Sequence, residues 1–472
     1  MYRFGQGCFR HQLRFLREQF LQDSDFAFGD VLSAEIVAQA MTAAELNWND
    51  RIYTPLVTLW VFLTQVISPD HSCRGAVARL IACRLSNGQP ACSARTGAYC
   101  QARARLPERF FAMVTQLVGR ALETKVKESW LWKGRHVYMF DGSTVSMPDT
   151  VANQAEYPQT NRSKPGVGFP IARIGVISSL ACGAILNFGI CSYAGKGTGE
   201  VSLLRRLWNV LQRGDVLLAD SLMCNWRNIF EATEYGVHVV TRINKALRKA
   251  DFRKGKRLGK DDHIVRWPKP HIRDVGRKAQ RAMPRYVTVR EVRIQVEQAG
   301  FRSKEITIVT TLLDPTEFSK QDLAELFRAR WNQELDLRSL KTVMQMDMLR
   351  CKTPELVRKE IWTHLLAYNL IRTVMAQAAD KHGRAPRTLS FKATLQTLEA
   401  FQPLIAYTSH RGSKHREQLY QELLRAIAAH QVGNRPDRFE PRKKKRRRMP
   451  YDLLMKPRAE AKLDILKGLT KN

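Results

Sequence analysis

The stretch LFRARWNQELDLRSLK, residues 326–341, has a composition typical of a helix and gathers ionisable side chains that could act on phosphates. At about 100° per residue, four of them fall within one arc of roughly 80°: Arg330, Glu334, Arg338 and Lys341. Asp336 and Glu325 fall on the opposite face. The arc is either a carboxylate among phosphate-binding cations or a solvated ladder of ion pairs spaced i to i+4.

Two further carboxylates directly follow predicted buried strands. Asp141 comes after HVYMF and Asp220 comes after VLLA. Functional groups gather at the carboxyl ends of strands in α/β sheets, although Asp also forms turns and caps helices there. With Glu334 as a third ligand, the set would suit phosphodiester chemistry, in which two Mg²⁺ ions roughly 4 Å apart activate a water or a 3′-hydroxyl.

The elements that must position these residues follow from the periodicity of the sequence. Residues 1–130 are predicted to be helical, with apolar residues at helical spacing in four segments, 33–48, 55–68, 74–84 and 108–127. From residue 135 the predicted order is strand, strand, strand, helix, strand, helix, strand, a basic β-rich insertion, strand and helix. We therefore predict three domains: a helical, DNA-binding domain at 1–130, a catalytic domain at 131–380 with its insertion at about 244–303, and a helical, basic region at 381–472.

The composition favours a polyanionic partner. The chain has 472 residues with 77 Lys and Arg against 44 Asp and Glu, a net charge of +33. In a large folded chain this excess most simply indicates DNA or RNA, and a membrane surface is the weaker interpretation. The run at 442–448 is expected to stay disordered until it meets an anion.

Apolar segments and cysteines give little support for other classes of protein. No apolar core of a signal peptide is found near the start, and 54–68 is too short to span a membrane. Residues 171–195 are interrupted by polar residues and Gly, which predicts two buried strands with a turn near Gly183. Nine cysteines without a CxxC pair are expected to be reduced thiols and not a zinc or disulfide framework.

The spacing Phe327-x2-Arg330-x3-Glu334-x6-Lys341 resembles the Tyr-Arg-Glu-Lys signature of bacterial insertion-sequence transposases of the IS-four family. FDGSTVSMPDT and GDVLLADSLMCNW resemble the two Asp segments of that family, and GKGTGE, with Gly197, Gly199 and Glu200, resembles another of its motifs. The likeness spans about residues 135–375, with weaker likeness at TGAYCQARARLP and YDLLMKPRAEA. It implies an α/β fold with a ribonuclease-H-like mixed sheet flanked by helices.

The resemblance implies roles for individual residues. Asp141, Asp220 and Glu334 would be the catalytic residues and the ligands of Mg²⁺ or Mn²⁺, with two ions bound. A second group would bind DNA phosphates: Arg330, Lys341 and Arg338. Phe327 stands where the family has Tyr, so it offers no hydroxyl to a phosphate.

Two residues have competing interpretations. Trp267, the single Trp of the insertion, would stack on a flipped base, as in hairpin-forming relatives, or belong to the core. Glu200 would support the metal ligands from outside, or it is a Glu favoured at a helix start by the dipole.

The implied activity is cut-and-paste DNA transposition. The partners would be double-stranded DNA with terminal inverted repeats and target DNA, bound by a homodimer in the synaptic complex, near the bacterial nucleoid and away from membranes. The alternatives are a transposase-derived DNA-binding protein without catalysis, another ribonuclease-H-like nuclease and a basic scaffold for nucleic acid. Intact Asp/Asp/Glu spacing favours the transposase.

Overall fold

The computed structural model describes residues 6–22, 25–47, 51–272, 275–295, 305–408, 412–433 and 452–467. The basic run at 442–448 therefore lies outside the described residues.

The described residues form nine strands in one sheet. In chain order the strands are β1 (Val137–Ser146), β2 (Ile171–Ser179), β3 (Ile185–Ser192), β4 (Val216–Ala219), β5 (His238–Arg242), β6 (Lys256–Gly259), β7 (Asp262–Pro268), β8 (Tyr286–Gln295) and β9 (Glu305–Thr310). Their spatial order is β3-β2-β1-β4-β5-β9-β8-β7-β6. β4 and β5 run parallel, and the pairs from β5 through β9, β8 and β7 to β6 are antiparallel.

Sixteen α-helices occur in the described ranges. They are α1 (Gln6–Glu18), α2 (Ala34–Ala43), α3 (Pro55–Ile67), α4 (Cys73–Ser86), α5 (Gly97–Arg105), α6 (Glu108–Thr124), α7 (Val151–Glu156), α8 (Glu200–Arg206), α9 (Trp226–Glu234), α10 (Arg277–Ala282), α11 (Lys320–Ala329), α12 (Trp331–Arg338), α13 (Pro354–Lys381), α14 (Phe391–Thr408), α15 (Ser413–Ala429) and α16 (Arg458–Leu466). A π-helix, Ser339–Val343, follows α12 directly.

The chain divides into two compact units. The first comprises Met1–Met139, Val176–Phe188 and Trp331–Val432, and the second comprises Phe140–Gly175, Gly189–Arg330 and Gly433–Asn472. The first unit is built around α13, whose residues from Lys359 to Ala379 are buried on all sides, as expected for a central helix. Helix α13 packs against α3, α6 and α15.

Asn369 is a buried polar residue of the central helix that has hydrogen-bond partners on β3. The Asn369 side chain accepts a hydrogen bond from the Ile185 N–H (2.8 Å) and donates to the Ile185 carbonyl (2.9 Å). The amide thus completes the hydrogen bonding of a buried strand residue, which removes the cost of burying both groups.

The second unit contains the insertion, whose strands bury one face. Burial alternates along residues 286–289 of β8, as the alternating sequence YVTV predicts, whereas residues 289–292 are all buried. Its core includes Trp226, Trp267, Val287, Val289 and Val309. The short apolar strand β4 is buried along its whole length, as its four consecutive apolar residues predict.

The predicted element order is confirmed apart from the short helix α7, which the prediction lacks, and the α/β fold has the predicted mixed sheet and helices. The ribonuclease-H-like type of this sheet stays an implication of the family resemblance. The predicted N-terminal helices correspond to α2, α3, α4 and α6, and the turn near Gly183 (φ +84°) separates β2 from β3. None of the described helices is long and apolar enough to cross a membrane. The division into three domains at about residues 130 and 380 stays a prediction.

Candidate active site

Asp141 lies inside β1 and not at its end, so the prediction that the strand stops there is wrong. The strand continues through Gly142 to Ser146, because the small residues after Asp141 accept extended backbone as readily as a turn. Val137 to Phe140 are buried, and Asp141 is half-buried. Its Oδ1 atom accepts a hydrogen bond from the Gly142 N–H at 2.8 Å.

The electrostatic surroundings of Asp141 bring several predicted site residues together. Burial is the main cause that raises the pKa of the Asp141 carboxyl to about 6, and the negative charges of Glu200 and Asp220 also raise it. The Gly142 N–H and the positive charge of Arg330 lower this pKa. Three carboxylates and one guanidinium of the second unit are therefore close enough to influence one another.

Glu200 reaches this cluster across Gly142. A Cβ atom built on Gly142 would lie 2.5 Å from Cγ and Cδ of Glu200, so only glycine leaves room for that side chain next to Asp141. Glu200 is also the first residue of α8, where a carboxylate is favoured by the helix dipole. Both interpretations of Glu200 from the sequence are thus compatible with its position. The close contact with Gly142 could not be read from the sequence.

Asp220 directly follows β4, as predicted, on the strand next to β1 in the sheet. Its Oδ1 accepts the Leu222 N–H and caps the short 3₁₀ turn Ser221–Met223. The capping role anticipated for such an Asp is therefore real. It uses one carboxylate oxygen for the turn and fixes the side chain at the end of the strand.

The predicted continuous helix at 326–341 is wrong, because the structure divides it into three segments. The Arg330 N–H bonds to the Phe327 carbonyl at 3.3 Å, an i to i+3 contact that ends α11 before α12 begins. The Met344 N–H bonds to the Ser339 carbonyl at 2.9 Å, in the wider i to i+5 pattern of a π-helix. A single 100° wheel therefore does not describe Arg330, Glu334 and Lys341 together.

The residues of this divided helix differ in exposure. Arg330, Glu334 and Lys341 are half-buried, and Arg338 is exposed. Burial lowers the pKa of Lys341. The Arg330 guanidinium lies 6.0 Å from the centroid of the Phe327 ring, so the residue in place of Tyr still packs beside the predicted phosphate ligand.

Asp336 and Glu325, the two other carboxylates of this region, have partners of their own. Asp336 is 1% exposed and forms ion pairs with Arg372 and Arg387, each at 2.6 Å. Glu325 is exposed and accepts a hydrogen bond from Gln321 at 2.7 Å. Neither carboxylate is placed for the proposed chemistry, which leaves Glu334 as the candidate from this segment.

Trp267 lies in the core, which is one of its two interpretations from the sequence. It is 3% exposed within the core of the insertion. Its Nε1 donates to Glu291 Oε1 at 2.8 Å, and the Arg248 guanidinium covers the ring at 4.6 Å from the centroid. A flipped base would have to displace Arg248 and open this core, so the interpretation as a core Trp is the one that the structure favours.

The carboxylates of the candidate site do not form a ready-made metal site among the described residues. Within the ranges that the structure describes, no three His, Cys, Asp or Glu side chains are arranged to hold a metal ion. The donor types nevertheless fit a divalent cation, because Asp141, Glu200 and Asp220 offer carboxylate oxygens, and the charges of Glu200 and Asp220 raise the pKa of Asp141. Glu334 and Lys341 belong to the first unit, whereas these carboxylates and Arg330 belong to the second.

Asp141→Asn is expected to increase the free energy of unfolding at pH 7, without added metal, by about 2–3 kcal/mol. The folded-state pKa of about 6 lies above the ordinary value of 3.8, so the folded protein holds the extra proton between these values. Wild-type stability relative to the variant therefore falls as pH rises from 4 to 6 and is constant above. Urea unfolding of both proteins with EDTA at pH 4 to 7 measures this difference, and a difference independent of pH would contradict it.

Comparisons with known proteins agree with the motifs. The family described as Transposase DDE domain matches residues 132–370. The transposase InsG for insertion sequence element IS4 of Escherichia coli (strain K12) is 27% identical over 403 residues, covering 80% of this chain and 84% of the relative. The putative transposase InsL for insertion sequence element IS186A of the same strain is 36% identical over 73 residues, 16% of this chain and 20% of the relative.

A solved structure is similar over most of the chain. It is the piggyBac transposase synaptic complex with hairpin DNA, which has a TM-score of 0.43 and 8% sequence identity and covers 87% of this chain and 86% of that one.

The family match extends over more than half of this chain, from the strand that carries Asp141 into α13. The chain therefore belongs to the DDE transposases, of the IS4 type, a family of enzymes that cleave DNA and transfer its strands.

Proposed function

We propose that this chain cleaves DNA at the ends of a transposon and transfers the freed strands into target DNA, with Asp141, Asp220 and Glu334 as the catalytic carboxylates. The observation that carries the proposal is the raised pKa of Asp141 among Glu200 and Asp220 in a chain of this family. Three half-buried carboxylates whose charges repel one another suit a cation-dependent phosphodiester reaction.

Asp141, Asp220 and Glu334 would hold Mg²⁺ or Mn²⁺, as two ions. When bound, these ions supply positive charge to the scissile phosphate and lower the pKa of water. Glu200 would stabilise the arrangement from beside Gly142, against which its side chain lies.

Arg330 and Lys341 would hold the phosphates on either side of the scissile bond. Arg330 is half-buried and acts on the charge of Asp141, so a phosphate that it binds would lie close to that carboxylate. A guanidinium can donate two parallel hydrogen bonds to a phosphate. Arg338 is exposed and would contact DNA more peripherally. These contacts orient the phosphodiester for attack by water, which leaves a free 3′-hydroxyl.

The same site would then act on target DNA. The 3′-hydroxyl attacks a target phosphodiester, and the new ester bond replaces the broken one, so no net bond energy is required from another molecule. A homodimer would bring two transposon ends with inverted repeats to one target. The burial of Trp267 gives no support to a hairpin step that depends on this residue.

The proposal is tested by incubating the purified chain with a duplex that carries the inverted repeat flanking its gene. Mg²⁺-dependent release of a 3′-hydroxyl at the end of the repeat, followed by joining to a target plasmid, is the expected result. Selective binding without cleavage under any Mg²⁺ or Mn²⁺ condition would favour the transposase-derived DNA-binding alternative.

Binding of this chain to duplex DNA is expected to depend steeply on salt. With a net charge of +33, a complex that neutralises about six to ten phosphates should lose about 10³- to 10⁵-fold in affinity between 50 and 200 mM salt. Fluorescence anisotropy with a labelled duplex measures the slope. A response that is flat over this range would show that phosphate contacts do not dominate binding.

A further inference from the structure

The segment that contains α4 and α5 is basic and lacks acidic residues. Residues 71–107 include six Arg and no Lys, Asp or Glu, although the whole chain has 44 acidic residues. Asp70 and Glu108 bound this segment at its two ends. A stretch of 37 residues without a carboxylate presents nothing to repel a phosphate backbone.

The inner face of α5 is fixed by buried polar contacts. Gln65 Oε1 accepts hydrogen bonds from the Tyr99 hydroxyl at 2.7 Å and from Arg103 Nη1 at 3.0 Å. The Arg103 guanidinium lies 4.7 Å from the centroid of the Phe62 ring. Lys359, which is fully buried, donates to the Ala104 carbonyl at 2.9 Å near the end of α5. The helix is thus held rigidly by its buried side.

The outer face of α5 is exposed and made of small residues with two hydrogen-bonding side chains. Its exposed residues share one side of the helix: Gly97, Ala98, Gln101, Ala104 and Arg105. The small residues allow a close approach, and Ala can contact a thymine methyl group. Gln pairs well with adenine, and Arg pairs well with guanine. An α-helix with its side chains is about 10–12 Å in diameter, which fits a major groove about 12 Å wide.

Exposed arginines flank this face. Arg95 precedes α5, Arg109 follows it, and Arg74 is on α4. In helix-turn-helix proteins the second helix enters the major groove while the first crosses the backbone. Here α4 and α5 are in contact, although the connection between them is longer than the usual three- or four-residue turn.

We propose that α5 reads the base sequence of the transposon end from the major groove, through Gln101 and Arg105, with Arg95 and Arg109 on the flanking phosphates. This inference rests on the proposed function and assigns its sequence recognition to one helix. Base recognition requires a rigid support, and the buried Arg103 on the inner face of α5 provides one.

The test compares the affinity for two duplexes of equal length in EDTA, one with the inverted repeat and one scrambled. Gln101→Ala leaves the charge unchanged and should reduce the preference for the repeat by roughly 10-fold or more, within the range for one bidentate base contact. Arg105→Ala should reduce it as well. Arg95→Ala should weaken binding to both duplexes about equally, as a phosphate contact does.

Gln89→Ala is the matched control, since Gln89 is exposed in the same acid-free segment but outside α5. Its preference for the repeat should equal that of the wild type. Full preference in both Gln101→Ala and Arg105→Ala, with unchanged melting temperatures, would overturn the assignment, as would a wild type that does not distinguish the duplexes. Because EDTA excludes cleavage, a chain that binds the repeat selectively but never cuts it would refute the proposed function and leave this inference standing.

Discussion

Asp141→Asn, Asp220→Asn and Glu334→Gln are each expected to lower the rate of Mg²⁺-dependent cleavage by about 10³-fold or more, with DNA affinity unchanged. Each substitution keeps the shape of the side chain and removes one negative charge from the candidate site. A bound cation contributes several kcal/mol of transition-state stabilisation, and about 4 kcal/mol corresponds to 10³-fold. Single-turnover cleavage of the inverted-repeat duplex measures the rate, and anisotropy measures the affinity.

Glu325→Gln is the control for these variants. Glu325 lies on α11, is exposed and contacts Gln321, so the same chemical change there should leave the cleavage rate within about twofold of the wild type. Wild-type cleavage by Glu334→Gln would remove Glu334 from the proposed set. Stabilisation by Mg²⁺ in thermal unfolding gives a second readout, since it should be present in wild type and Glu325→Gln and absent in Asp141→Asn.

The sequence predicts the positions of the candidate carboxylates better than the backbone that carries them. Asp220 follows a buried strand as predicted, because the apolar run VLLA is too short for a typical helix and favours a buried strand. The sequence predicts a strand end at Asp141, because Gly142 and Ser143 are common in turns, whereas β1 continues through them. The pairing that extends β1 depends on its neighbours in the sheet, which local composition does not reveal.

The division of the helix at Arg330 also depends on tertiary structure. No Pro or Gly occurs in 326–341, so propensity alone predicts one helix. In the first unit, α12 is held by Gln333 and Asp336, and Gln333 Nε2 donates to the Val176 carbonyl at 3.2 Å. Contacts with residues far away in sequence thus set the position of α12. Packing of the same kind buries Trp267, for which the sequence left both base stacking and a place in the core open.

Asp336→Ala is expected to destabilise the fold by about 3–5 kcal/mol, the cost of leaving a buried charge without its partner. Asp336 Oδ1 accepts hydrogen bonds from Arg372 and Arg387, each at 2.6 Å, and from the Tyr368 hydroxyl at 2.9 Å. Arg372 is 4% exposed, so its guanidinium could not recover the lost contact from water. Urea unfolding of Asp336→Ala and of the wild type measures this difference in the free energy of unfolding.

Glu334→Gln is the matched comparison, since it alters a carboxylate two residues earlier in the same helix. Glu334 is half-buried, and removing its charge should change the free energy of unfolding by less than about 1 kcal/mol. An Asp336→Ala protein as stable as wild type would show that Arg372 and Arg387 find other partners. Loss of stability in Asp336→Ala together with loss of cleavage in Glu334→Gln would show that one short helix carries two carboxylates with separate roles. Asp336 would stabilise the fold, and Glu334 would take part in catalysis.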